Sequence, residues 1–123
     1  MKSLAVEIRA IAAQRVTVTE DALCVDLTDG RTVSVPLAWY PRLLHGTPME
    51  RNKWRLIGEG EGIHWPDLDE DISVEGLVLG RASGESQRSF KVWLAQRAAK
   101  RRKILKKRVR PQTRESRQRH ARN

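Results

Sequence analysis

Residues 16–35 read VTVTEDALCVDLTDGRTVSV, and the alternation in this stretch decides the fold. Val16 and Val18 alternate with Thr17 and Thr19. Leu23, Val25 and Leu27 alternate with Cys24, Asp26 and Thr28, and Val33 and Val35 with Thr32 and Ser34. Successive side chains on a strand point to opposite faces, so each run has one apolar face, and its β-branched residues suit a pleated surface. A three-stranded meander is expected. Register follows from parity, because a slip of one residue sends every side chain to the wrong face. A two-residue turn at Glu20-Asp21 opposes Val18 to Leu23 and Val16 to Val25. A two-residue turn at Asp29-Gly30 would oppose Leu27 to Thr32 and Asp26 to Val33, mixing the faces. A three-residue loop, Thr28-Asp29-Gly30 with Gly30 left-handed, opposes Val25 to Val33 and Leu23 to Val35, and it is the loop predicted.

Before the meander, Leu4, Val6, Ile8 and Ile11 fit a strand or a frayed helix equally well. After it, Pro41 to His45 can form one helical turn, opened by Pro41 and closed by Gly46. Thr47-Pro48-Met49-Glu50 is the capping-box pattern and predicts a short helix from Pro48 to about Lys53. Trp54, Leu56 and Ile57 predict one further strand ending at Gly58, and residues 58–62, Gly-Glu-Gly-Glu-Gly, a loop. Ser73 can cap a helix carrying Val74, Leu77 and Val78 that stops at Gly80. Residues 81–88 read as polar linker. Phe90 to Val109 read as one long helix ended by Pro111, with Phe90, Trp93, Leu94, Ala98, Leu105 and Val109 near one stripe. The expected fold class is α+β: a small antiparallel sheet, made of the meander plus the further strand, with short helices. Residues 1–88 form that domain, 89–110 a basic amphipathic helix and 111–123 a disordered basic tail.

The charge divides with the fold. Over the 123 residues Lys and Arg number 24 and Asp and Glu 15, but residues 1–96 carry net −3 and residues 97–123 net +12. Within the second segment Lys100, Arg101, Arg102, Lys103, Lys106, Lys107, Arg108 and Arg110 are the candidate nucleic-acid contacts. A solvated tail that keeps the protein soluble is the alternative. Charge of this kind recognises a polyanion rather than a sequence, and no aromatic residue follows Trp93 to stack on bases. A single cysteine, Cys24, permits no internal disulfide and no cysteine-cluster metal site. No apolar run is long enough for a membrane helix. The N-terminus, Lys2 and then a stretch broken by Glu7 and Arg9, does not read as a signal peptide, so a cytoplasmic protein is expected.

Other motifs are weaker. The glycines at 58, 60 and 62 lack the spacing and the following helix of a phosphate loop, and Glu59 and Glu61 would repel phosphate. Asp67, Asp69 and Asp71 have the spacing of the first EF-hand ligands, but Ile72 stands where glycine is needed and Val78 where glutamate is needed. One of these acids is expected to favour the start of the helix after Asp71. His64 beside Asp69, Glu70 and Asp71 suggests acid–base chemistry without a partner nucleophile, or a hydrogen-bonded structural histidine. Two aromatic islands supply interface candidates: Trp39, Tyr40 and Arg42 in one, His64 and Trp65 with Asp69, Glu70 and Asp71 in the other. Closing a small core is the competing role for both tryptophans.

The run from Leu27 through Asp29-Gly30-Arg31 to Trp39-Tyr40-Pro41-Arg42-Leu43 resembles the first block of a bacterial family known as domain of unknown function 2442. Gly62-Ile63-His64-Trp65-Pro66, Leu68-Asp69-Glu70-Asp71-Ile72-Ser73-Val74, Gly76-Leu77 and Gly80 resemble its second block. The resemblance covers about residues 14–81 and implies a small α+β domain with no enzymatic activity or cofactor to carry over. Some members resemble the antitoxin half of toxin–antitoxin pairs, and others carry a helix-turn-helix that this chain lacks. Three functions follow as expectations. One is a non-enzymatic, antitoxin-like adaptor whose acidic domain holds a small basic, toxin-like protein and whose basic arm holds DNA or RNA. Another is a nucleic-acid-associated protein whose domain only folds or forms a homodimer. The third is an enzyme using His64 with Asp69, Glu70 and Asp71.

Overall fold

The computed structural model describes residues 11–109, Arg108 and Val109 only by their place in a helix. It divides into two units, residues up to Gly84 and residues from Glu85. Unit 1 contains the expected meander: β1 (Ala13–Val18), β2 (Ala22–Leu27) and β3 (Thr32–Pro36), paired antiparallel in the order β1-β2-β3. Val18 opposes Leu23 and Val16 opposes Val25; Leu23 opposes Val35 and Val25 opposes Val33. The odd loop forms, with Gly30 at φ +91°. Its Asp29 accepts hydrogen bonds from the Arg31 amide at 3.0 Å and the Arg31 Nε at 2.7 Å. The amide first, and the guanidinium with it, hold the Asp29 carboxyl below its usual range. β1 carries a register shift between Ala13 and Arg15.

A 3-10 turn (Leu37–Trp39) leads to α1 (Pro41–Leu44) and α2 (Pro48–Asn52). The capping box of α2 is complete: Thr47 Oγ1 accepts from the Glu50 amide at 3.1 Å, and Glu50 Oε1 accepts from the Thr47 amide at 2.9 Å. Gly46 follows α1 as expected, but its backbone is not left-handed. Leu68 presses on it, and a Cβ there would lie 2.9 Å from Leu68 Cδ1.

The larger departure comes next. The single further strand is part of a second three-stranded sheet, β4 (Arg55–Ile57), β5 (Gly62–Trp65) and β6 (Glu70–Ser73), antiparallel in that order. Between β4 and β5 the glycine-rich segment forms a 3-10 turn with positive φ at Gly58, Glu59 and Gly60. Gly60 also needs its bare Cα, since a Cβ would sit 2.8 Å from the Ala13 carbonyl oxygen, where the turn meets β1. α3 (Val74–Val78) is capped by Ser73, whose Oγ accepts from the Gly76 amide at 2.9 Å, and Gly80 ends it at φ +72°. No acid of the Asp67–Asp71 group starts this helix: Glu70 and Asp71 lie in β6, and the acid in its first turn is Glu75.

The core of unit 1 takes Val16, Leu23, Val25, Leu27 and Val35 from the first sheet and Ile63, Trp65 and Ile72 from the second. Leu37, Tyr40, Leu43, Leu68, Val74 and Leu77 come from the connections. Arg51 is buried among them. Its Nε donates to the Leu43 carbonyl at 2.8 Å and its Nη2 to the Leu44 carbonyl at 2.6 Å, so a cation satisfies carbonyls at the C-terminus of α1.

Unit 2 is α4 (Gln87–Val109). It begins three residues before the expected Phe90 because Ser86 acts as a cap: its Oγ accepts from the Ser89 amide at 3.1 Å and its carbonyl from the Phe90 amide at 3.0 Å. Phe90 stacks on Trp93 with centroids 5.6 Å apart, and the Arg97 guanidinium lies 4.8 Å from the centre of the Trp93 ring. Among the described residues no helix is long and apolar enough to cross a membrane.

Candidate functional site

Two groups of residues were singled out by sequence, and they meet different fates. In unit 1, pairing of β5 with β6 places His64 opposite Asp71 and Trp65 opposite Glu70. Alternation then sends Trp65 inward and His64 outward. Trp65 is fully buried, and its indole Nε1 donates to the Arg51 carbonyl at 3.0 Å. Tyr40 is buried too, with its hydroxyl donating to the Arg81 carbonyl at 3.0 Å. Both were interface candidates, Trp65 with closing the core as its competing role, and the structure buries them in the core with their polar atoms partnered inside the fold. Burial, and secondarily the charge of Glu70, raise the Tyr40 phenol above its ordinary pKa. Trp39 is half-buried at the end of its 3-10 turn, where its carbonyl accepts from the Ser83 amide at 3.0 Å.

Asp67 and Asp69 lie in the turn joining β5 to β6 and Asp71 in β6 itself, and each of the three has a partner in its own chain. Arg42 Nη1 donates to the Asp69 carbonyl at 2.9 Å and lies 3.5 Å from the Asp69 carboxylate. Lys53 pairs with Asp67 at 3.3 Å. His64 Nδ1 lies 2.5 Å from Asp71 Oδ1. These contacts lock the turn joining β5 to β6, in which Asp69 has the positive φ of +49°. Sequence spacing showed the acids but not their partners, because Arg42 and Lys53 lie on the earlier α1 and beyond the end of α2. His64 is thus hydrogen-bonded to Asp71 across the β5–β6 pair. Exposed pairs of this kind contribute little stability each, so their effect is to fix the turn's geometry.

The second group lies on α4. Lys100, Arg101, Arg102, Lys103, Lys106 and Lys107 are all exposed on one continuous helix. The side chain of Arg108, and Arg110 entirely, lie outside the described residues, as does the segment 111–123 expected to be disordered. No Asp or Glu occurs from Gln87 to Val109, so nothing within the helix neutralises the run. Ile104 and Leu105 are exposed between the cations, 51% and 58% respectively. Divided by units, the charge is sharper than at Gln96: net −4 up to Gly84 and net +13 from Glu85.

Comparison with known proteins gives the fold a family and no activity. Residues 13–83 match the family described as "Protein of unknown function (DUF2442)". A crystal structure of a protein of unknown function from Rhodospirillum rubrum is similar, with 25% identity and a TM-score of 0.54. The match covers 63% of this chain and 95% of that one. An NMR structure of an uncharacterized protein from Chromobacterium violaceum shares the fold at 22% identity and a TM-score of 0.52, over 70% of this chain and 75% of that one. No protein with a curated description matches the chain.

Proposed function

The chain belongs to the DUF2442 family, and we propose that it is a non-enzymatic nucleic-acid-binding protein that uses α4 as its binding arm. One observation carries this reading: six exposed cations between Lys100 and Lys107 on a helix without a single acid. Such a helix repels itself in isolation and is stabilised when phosphates replace its counterions. A basic protein partner on unit 1, as in an antitoxin-type adaptor, is the second part of the proposal. It is supported by that unit's net charge of −4 and by Met49 and Leu44, exposed 71% and 40% on neighbouring helices.

Fluorescence anisotropy of the full chain with labelled duplexes over a range of salt tests the first part. If about six to eight cations meet phosphates, log K against log salt should slope at about −5 to −7. Random duplexes should compete almost equally, because phosphate contacts position a protein without specifying a sequence. A slope near zero would leave the basic segment as a solubility device.

A further inference from the structure

We propose that α4 binds by lying in the major groove of B-form DNA, with phosphates on both sides of it, rather than by laying one face on an anionic surface. The inference rests on the nucleic-acid reading above and deepens it by naming the ligand's geometry. At about 100° per residue, the exposed cations from Lys100 to Lys107 leave no arc of the helix wider than about 100° without a positive charge. A helix that meets a membrane or one flank of a polyanion concentrates its charge on one side and leaves the other neutral. Five of the six cations here lie within an arc of about 160°, yet the other side is not neutral, because Arg101 stands there between Ile104 and Leu105.

Its remaining surface has a direction. Ile104 and Leu105 flank Arg101 on one side of the helix, and both are more than half exposed. Lys100 and Lys107 project to one flank of that side, and Arg102 and Lys106 to the other, by the same helical geometry. Lys103 points away from that side, so the arrangement is that of a floor, two walls and one cation on the back of the helix. In the major groove the floor offers base edges, including the apolar thymine methyl, and each wall is a row of phosphates. The groove is about 12 Å wide, close to the 10–12 Å diameter of a helix with its side chains. The major groove of A-form RNA is deep and narrow and does not admit such a helix.

The test uses the full chain and two double variants, Lys100→Ala with Lys107→Ala for one wall and Arg102→Ala with Lys106→Ala for the other. Alanine preserves helix propensity, and circular dichroism confirms that α4 persists. Each variant should reduce the magnitude of the salt slope by about 2, and their affinities should agree within about threefold. Duplexes bearing bulky groups at pyrimidine C5, which fill the major groove, should bind about tenfold or more weakly, whereas a minor-groove ligand should not compete. An A-form RNA duplex of the same sequence should bind more weakly than the DNA. Loss of binding through one wall alone, indifference to the C5 groups, or preference for the RNA would overturn the groove assignment while leaving nucleic-acid binding intact. Failure to bind any duplex, or capture by anionic vesicles alone, would overturn the function proposed above as well.

Discussion

Tyr40 and Trp65 show how single side chains tie the parts of unit 1 together. Each spans a connection: the Tyr40 hydroxyl reaches the Arg81 carbonyl beyond α3, and the Trp65 indole reaches the Arg51 carbonyl in α2. Trp65→Ala should therefore cost about 3–5 kcal/mol, read by urea unfolding of the full chain, since it empties the core and leaves the Arg51 carbonyl without its donor. If stability is unchanged and only association with a partner is lost, the residue is a surface anchor after all. For Tyr40 the consequence is a pH dependence. Its folded pKa is raised above the ordinary value of 10.0, so the neutral phenol is the form that folding favours. The associated stability is complete below pH about 10 and falls as pH rises through the folded value. Tyr40→Phe should flatten that alkaline limb of thermal stability while costing about 1 kcal/mol at neutral pH through the lost hydrogen bond. An unaltered alkaline limb would show that other groups produce it.

At the scale of elements, short pieces persist because their ends are satisfied. α2 has five residues, too few to be helical alone, yet both arms of its capping box are made and Arg51 within it anchors α1. Thr47→Ala should destabilise the protein by about 1 kcal/mol. Combined with Glu50→Ala it should cost less than the sum of the single changes, because the two side chains serve one another's backbone. Additivity in chemical denaturation would mean that the two bonds act independently. Caps were legible in the sequence at Thr47, where the capping box is complete, and at Ser73, where the helical spacing of Val74, Leu77 and Val78 follows the serine. At Ser86 the next three residues, Gln87-Arg88-Ser89, are polar, so no apolar spacing marks the start of α4 before Phe90.

At the scale of the whole molecule, the division of charge follows the division of structure into units. A chain ending at Gln96 should retain the cooperative unfolding of unit 1, whose sheets, helices and buried residues all precede the cut. With net charge −3 it should bind duplex DNA at least about a hundredfold more weakly than the full chain at low salt. Equal binding by the shortened chain would move the nucleic-acid site onto unit 1.

The meander, its register, the odd loop at Gly30 and the caps at Thr47 and Ser73 were determined by sequence alone, because each depends on neighbours a few residues apart. The basic arm was equally legible, since charge needs no partner to be counted. Strands β5 and β6 were not. Four residues each, and in β6 two consecutive acids, give too short a period to distinguish a strand from a loop, and only pairing in the folded chain makes them extended. The same pairing decided which side of Trp65 and His64 faces the core, and it set His64 beside Asp71. Local patterns specify elements, but the assignment of a tryptophan to core or surface depends on residues far away in the chain, whose positions only the tertiary fold supplies.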